Sequence, residues 1–150
     1  MIAVIQRVSE ASVKIAGHIH GEIKNGFLVL LGITHSDTKE DVEWLGRKIT
    51  GMRVFSDTEG KMNLDLAAVK GDILLISQFT LHASTKKGNR PSFIEAARPE
   101  YAIPIYEQMI AFLENELGKP IQRGKFGADM KVALVNDGPV TIVIDSKNRT

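Results

Sequence analysis

The segment Lys131–Asp145 reads KVALVNDGPVTIVID, two apolar runs separated by Asn136-Asp137-Gly138-Pro139. Asn, Asp, Gly and Pro each favour turns for a separate backbone reason, so the pattern predicts two strands joined by a turn. The turn is an odd one. A two-residue hairpin is built on Asn-Gly or Asp-Gly followed by a residue that pairs at once, whereas Gly138 is followed by Pro139, which has no N–H to give to a ladder. A ring that cannot pair, set at the mouth of a strand, asks for another use of that main chain.

Upstream of this stretch the hydrophobic period changes several times. AVIQRVS (3–9) and ASVKIAG (11–17) alternate as strands, with Val4, Gln6 and Val8 on one face, Ile5 and Arg7 on the other, and Ala11–Ser12 expected as a short connection. GEIKNG (21–26) reads as a polar hairpin-like segment, and FLVLLGI (27–33) as a strand buried on both faces. Val42, Leu45, Ile49 and Met52 then recur at helical spacing, with Asp37 expected as the cap and Glu40 three residues on. RVFSD (53–57) and DILLISQFTL (72–81) return to strand patterns, separated by a loop. A second helix is expected over 99–118, with Tyr106, Ile110, Leu113 and Leu117 as its apolar stripe, Pro104 near its first turn, and Gly118 then Pro120 as the stop. Many strands and two main helices predict an α+β domain, its mixed or antiparallel sheet curled into a partly closed barrel.

Bulk properties narrow the function classes. With 150 residues, 43% of them hydrophobic and 25% charged, the chain is expected to form one domain, 1–150, with its own core. The absence of cysteine excludes disulfides, thiolate metal sites and a Cys nucleophile, and points to a reducing cytoplasm. No signal peptide is read at the start, and no apolar run approaches the roughly 20 residues of a bilayer span. The net charge of +1 indicates no global attraction to nucleic acid, so any such contact needs a local patch.

Taken singly, the candidate sites leave function open. Ser77, Gln78 and Thr80 are polar positions at the end of an otherwise apolar strand, where a rigid backbone can face a cleft; a strand with one wet face explains them equally. From His82 to Arg98 the chain carries Lys86, Lys87, Arg90 and Arg98 against Glu95 alone, a local excess of +3 suited to phosphates, or to an ordinary solvated loop. His18 and His20 share a strand face without a third ligand, and His35 and His82 are isolated, so no metal and no cofactor is expected. No phosphate-binding glycine loop, nucleophile elbow or carboxylate pair is present.

Taken together, AVIQRV (3–8), SQFTL (77–81), KKGNRPSF (86–93), FGADMKV (126–132) and NDGPVT (136–141) resemble the D-aminoacyl-tRNA deacylase family over essentially the whole chain. One departure stands at Ile2, where the family often carries Arg, so one positive charge is missing there. The resemblance implies hydrolysis of the ester joining a D-amino acid, or misloaded glycine, to the end of tRNA. It also implies a homodimer in which a Gly-cis-Pro pair, here Gly138-Pro139, enters the partner's site and rejects L substrates. By the same resemblance Arg7 holds that pair, Ser77, Gln78, Phe79 and Thr80 form the catalytic strand end, and Met130 with Phe79 lines the adenine or acyl pocket. Lys86, Lys87 and Arg90 are then the tRNA-phosphate contacts. For the bond-breaking step, main-chain N–H groups at 77–80 with help from the tRNA ribose hydroxyl are expected, and a Thr80 nucleophile stands as the alternative. Two competing classes are a non-catalytic RNA-binding barrel and a hydrolase of free D-amino-acid esters.

Overall fold

A 14-residue strand, β1 (Ile2–Ile15), organises the computed structural model, which describes Met1–Thr150. It is followed by β2 (His18–Ile23), β3 (Gly26–Gly32), α1 (Lys39–Gly51), β4 (Phe55–Ser56), β5 (Met62–Leu64), β6 (Asp72–Ser77), a 3₁₀ turn (Phe79–His82), α2 (Pro99–Leu117), β7 (Gln122–Arg123) and β8 (Lys131–Asp145). β1 pairs antiparallel with β3 along residues 2–8 and with β2 along 11–15, while β8 runs along its other edge from Ile2 to Lys14. The sheet order is β2-β1-β3-β6-β7, and the β3–β6 and β6–β7 pairs are parallel. The domain is α+β with a mixed sheet, as the periodicity predicts.

Strand alternation gives the sheet two apolar faces. Ala3, Ile5, Phe27, Val29, Leu31, Ile73 and Leu75 pack with α1 and α2 in the larger core. Val8, Ala11, Val13, Ile23, Leu28, Leu74 and Ile76 form a second, smaller core on the inside of the curl. Each such large aliphatic or aromatic side chain contributes about 1.5–3 kcal/mol when fully buried, so β3 and β6, buried on both faces, anchor the fold. The curl brings β2 back against β7: a side chain at Gly21 would stand 3.2 Å from the Arg123 carbonyl oxygen, so the barrel nearly closes there. No helix is long and apolar enough to cross a membrane.

Several local expectations are corrected. β1 has no break at Ala11–Ser12; its buried positions change parity between Val8 and Ala11 because its register against β8 shifts between Val8 and Glu10. The strand of DILLISQFTL stops at Ser77, and QFTL leaves the sheet in the 3₁₀ turn after the Gln78 N–H bonds the Leu31 carbonyl at 2.7 Å. The loop after β4 contains β5, which pairs with it. Pro104 lies in the second turn of α2, not the first, on its exposed side. Gly118 ends that helix with φ +70°, its N–H on the Glu114 carbonyl at 2.8 Å.

The cap of α1 is Thr38, not Asp37, and Asp41 accepts from the Thr38 N–H at 2.8 Å. Asp37 is instead fully buried, with the Met1 ammonium 2.6 Å from Oδ1 and the Thr34 N–H 2.8 Å from Oδ2. Ser146 Oγ accepts from the same ammonium at 3.0 Å and donates to Asp41 Oδ1 at 2.7 Å, which ties both ends of the chain to α1.

The largest correction falls on Lys131–Asp145. It is one strand, and its two halves pair with β1 rather than with each other. Thr141 faces Gln6 and Asn136 faces Val8, so residues 137–140 stand opposite Arg7 alone as a wide bulge. β1 is long enough to hold both halves, which leaves the Pro139 ring in the bulge, where no ladder N–H is called for.

Candidate functional site

Two side chains hold the bulge, Arg7 and Asn136. Arg7 Nε donates to the Asp137 carbonyl at 2.8 Å, and Arg7 Nη1 donates to the Val54 carbonyl at 2.6 Å, so one guanidinium joins the bulge to the segment after α1. The planar fork of Arg serves two acceptors at once. Asn136 closes the base: its Oδ1 accepts from the Val140 N–H at 2.8 Å, and its Nδ2 donates to Thr141 Oγ1 at 3.0 Å and to the Val140 carbonyl at 3.3 Å. Gly138 has φ +144°, and a Cβ there would stand 2.9 Å from Val140 Cγ2 and 3.0 Å from Arg7 Nη2. Only glycine takes that backbone without a clash. The Gly138–Pro139 peptide is cis, and both residues are exposed.

A second feature lies at the end of β6. Ser77, Gln78 and Phe79 line a cavity of about 260 Å³ whose other wall is Phe126, Gly127, Ala128, Asp129 and Met130, with Ile76 and Val132 at its floor. Gln78 Nε2 donates to Thr80 Oγ1 at 2.5 Å, so the threonine oxygen is occupied as an acceptor by an amide rather than by a base. As the first N–H groups of a 3₁₀ turn, those of Phe79 and Thr80 have no acceptor within the turn. The acidic group on the cavity wall, Asp129, is engaged by Lys131 Nζ at 3.0 and 3.2 Å. Beneath β6, the buried Tyr106 hydroxyl donates to the Leu75 carbonyl at 3.0 Å. Burial pushes that phenol well above its ordinary value, which keeps it a neutral donor. Tyr106 also meets Phe126 edge-on at 5.9 Å, which couples the two cavity walls through α2.

The third feature is the basic loop. Ser84 and Ser92 close it with a two-bond bridge of 2.8 and 2.9 Å, and Lys86, Lys87 and Arg90 stand exposed on it. Arg98 lies beyond, at the start of α2, its N–H on His35 Nε2 at 3.2 Å. His18 and His20 are exposed on β2, and no cluster of three or more His, Asp or Glu side chains converges anywhere.

Ser77, Gln78, Phe79 and Met130 thus share one cavity, with Thr80 attached through Gln78. Arg7, Gly138 and Pro139 form a separate group, and none of the three lines that cavity. Sequence reasoning missed Asn136 as the clamp of the bulge, Val54 as the second acceptor of Arg7, and the wall 126–129. Asn136 carries a legible signal, since an Asn before a Gly-Pro pair readily bonds backbone a few residues on. Val54 carries none, because it acts through its main chain.

Comparison with known proteins gives a consistent assignment. A family profile described as D-Tyr-tRNA(Tyr) deacylase matches residues 4–145. The chain is 66% identical to a D-aminoacyl-tRNA deacylase of Cytophaga hutchinsonii and 60% identical to one of Flavobacterium johnsoniae, in each case over 99% of both chains. A solved structure described as c-Myc DNA Unwinding Element Binding Protein is 41% identical, with a TM-score of 0.91 over 97% of this chain and 98% of that one. A probable eukaryotic D-amino acid tRNA deacylase shares the fold at 15% identity, with a TM-score of 0.82 over 95% and 97% of the two chains. The profile match over residues 4–145 and the full-length identity agree, and the chain belongs to the D-Tyr-tRNA(Tyr) deacylase family.

Proposed function

We propose that the protein hydrolyses the ester between a D-amino acid and the terminal adenosine of tRNA, releasing free amino acid and tRNA, and that it also clears misloaded glycine. The substrate class comes from the relatives that match along the whole chain. The observation that carries the mechanism is the cavity at the end of β6, where main-chain donors are available and the Thr80 hydroxyl is bonded to Gln78 instead of to a His, Asp or Glu.

In this reading water attacks the ester carbonyl carbon, and the carbonyl oxygen becomes an oxyanion held by the N–H groups of Phe79 and Thr80. One well-placed donor of this kind contributes roughly 2.7–4 kcal/mol to the barrier. As the intermediate collapses, the bond from carbon to the ribose oxygen breaks. The water proton passes to that oxygen, relayed by the neighbouring ribose hydroxyl. A Thr80 nucleophile needs a base to take its proton, and Gln78 is not one.

Chirality is read by a second copy of the chain. Gly138-Pro139 of the partner enters the cavity, and its carbonyl oxygens accept from the substrate α-ammonium. With ammonium and ester both fixed, a D side chain points outward and an L side chain meets main chain. Side-chain pockets separate small groups by only about 1–3 kcal/mol, and each tenfold ratio takes about 1.4 kcal/mol; unyielding backbone supplies a steeper wall. Glycine, with nothing to reject, passes. The separation of Gly138-Pro139 from the cavity of its own protomer, and its anchoring by Arg7 and Asn136, support delivery to a neighbour. Lys86, Lys87 and Arg90 take the acceptor-stem phosphates.

A second reading, nucleic-acid binding without catalysis, is favoured by the exposed basic loop and by the relative described as a DNA unwinding element binding protein. One assay separates the readings. Purified protein is incubated with D-tyrosyl-tRNA, L-tyrosyl-tRNA and D-tyrosine ethyl ester, and rapid loss of the first alone is expected. Persistence of all three favours the binding protein, and equal loss of the free ester favours a small-molecule hydrolase.

A further inference from the structure

Beyond the cavity, the outer surface carries apolar side chains that neither core uses. Phe79 is 53% exposed, Phe93 39% and Ile94 83%. The Phe79 and Phe93 rings meet edge to face at 5.2 Å and 77°, so the exposed Phe93 ring stands beside one that lines the cavity. Two backbone anchors bracket Phe93: the Ser84–Ser92 bridge immediately before it and the Ala96 N–H on its own carbonyl at 3.1 Å. The ring is therefore displayed from a braced segment.

The charge beside it is uncompensated. Between Ser84 and Ser92 lie Lys86, Lys87 and Arg90 and no acidic residue. Arg123 and Lys131 each have a carboxylate within 3.0 Å, whereas these three cations have no such partner. Exposed aromatic faces next to unpaired cations are the means by which proteins hold single-stranded nucleic acid, with rings under the bases and cations along the phosphates. A protein partner explains the apolar rings but not three free cations on the same loop.

We infer that Phe93 is a stacking site for the unpaired nucleotide immediately before the aminoacylated adenosine. It positions the single-stranded end of the tRNA while the adenosine occupies the cavity past Phe79. The identity of the nucleic acid rests on the deacylase reading; the stacking role rests on the Phe93 surface. Phe93 acts through substrate placement and takes no part in bond breaking.

The test compares Phe93→Leu, which keeps an apolar side chain but no π face, with Phe93→Trp, which keeps the face. Two substrates are used, D-tyrosyl-tRNA and D-tyrosyl-adenosine, which lacks the preceding nucleotides. A base–aromatic stack corresponds to roughly 5- to 150-fold in affinity. Phe93→Leu is expected to raise KM for the tRNA by that factor relative to any change on D-tyrosyl-adenosine, with kcat little changed, and Phe93→Trp restores the ratio. Binding of a labelled RNA pentanucleotide ending in CCA, read by fluorescence anisotropy, weakens in parallel and needs no catalysis. Equal losses on both substrates, or unaltered oligonucleotide binding by a folded Phe93→Leu protein, overturn the inference. So does a change of oligomeric state with unaltered RNA binding, which assigns the patch to a protein contact. If the unaltered protein hydrolyses neither substrate, the deacylase reading fails, and the anisotropy arm alone still decides the stacking site.

Discussion

Arg7 offers the sharpest perturbation of the proposed chiral selector. Its guanidinium is the only side chain that bonds both the bulge, through the Asp137 carbonyl at 2.8 Å, and the segment after α1, through the Val54 carbonyl at 2.6 Å. Arg7→Lys keeps the charge but offers one ammonium in place of a two-pronged fork, so one of the two acceptors goes unserved. A hydrogen bond involving a charged group contributes about 1.5–3 kcal/mol net. Both bonds are partly open to water, which argues for the lower end of that range. Removing one of them then lowers the equilibrium constant for the correctly held bulge by about 10-fold, and removing both, as in Arg7→Met, by about 100-fold. The bulge is a local unit, so most of this cost appears as local opening and not as global unfolding. The expected result is a fall of up to about 10-fold in kcat/KM on D-tyrosyl-tRNA for Arg7→Lys and up to about 100-fold for Arg7→Met, with the ratio of D to L hydrolysis falling as well. Thermal unfolding shifts by only a few degrees, on the scale of about 2–4 °C per kcal/mol for a chain of this length. A folded Arg7→Met protein that keeps full activity and full discrimination between enantiomers excludes Arg7 as the residue that holds the selector.

Three further outcomes follow from the same geometry. Thr80→Ala removes the hydroxyl that accepts from Gln78 and should slow D-tyrosyl-tRNA hydrolysis by no more than about 10-fold, the equivalent of one ordinary hydrogen bond; a drop of the order of 10⁴-fold or more, as for a removed nucleophile, would reinstate Thr80 as the attacking group. Lys86→Glu with Lys87→Glu should raise KM for every D-aminoacyl-tRNA alike and flatten the dependence of binding on salt, by about 0.9 in logarithmic slope for each acceptor-stem phosphate no longer neutralised; an unchanged slope removes these lysines from the interface. For the buried polar cluster, burial alone pushes the Asp41 carboxyl up, but hydrogen bonds from Lys147 at 2.8 Å and Ser146 at 2.7 Å outweigh it and hold the carboxyl below the usual carboxylate range. A carboxyl depressed on folding stabilises above its unfolded pKa of about 3.9 and loses that contribution as pH falls through its folded value. The melting temperature of Asp41→Asn should accordingly lie below that of the unaltered protein near neutral pH, and the gap should narrow below about pH 4, as followed by circular dichroism; a gap independent of pH excludes the ion pair as its source.

Elements with local signals were legible in the chain. FLVLLGI is apolar at every side-chain position because β3 is buried on both faces, and Ile49 and Leu113 mark helix faces because both contact one core. Gly118 with Pro120 marks the end of α2 because each has a backbone reason to stop a helix. The same local cues misplace Asp37, a good cap by type, because its partner is an ammonium 36 residues away. They also run the β6 strand through QFTL, where the strand stops at Ser77, the Gln78 N–H makes the last bond to β3, and the backbone turns into a 3₁₀ turn.

Composition and periodicity alone establish an α+β domain, the strands that carry its core and the basic loop beside Phe93. The folded chain was needed to reveal that Asn136–Pro139 interrupts a strand instead of joining two, that Arg7 grips it from 130 residues away, and that Ser77–Phe79 face Phe126–Met130 across one cavity. The difference is one of pairing range. Turn and helix propensities act over a few residues, whereas the ladder that accommodates the bulge belongs to β1 at the opposite end of the chain, and no property of the NDGP residues encodes the length of that partner.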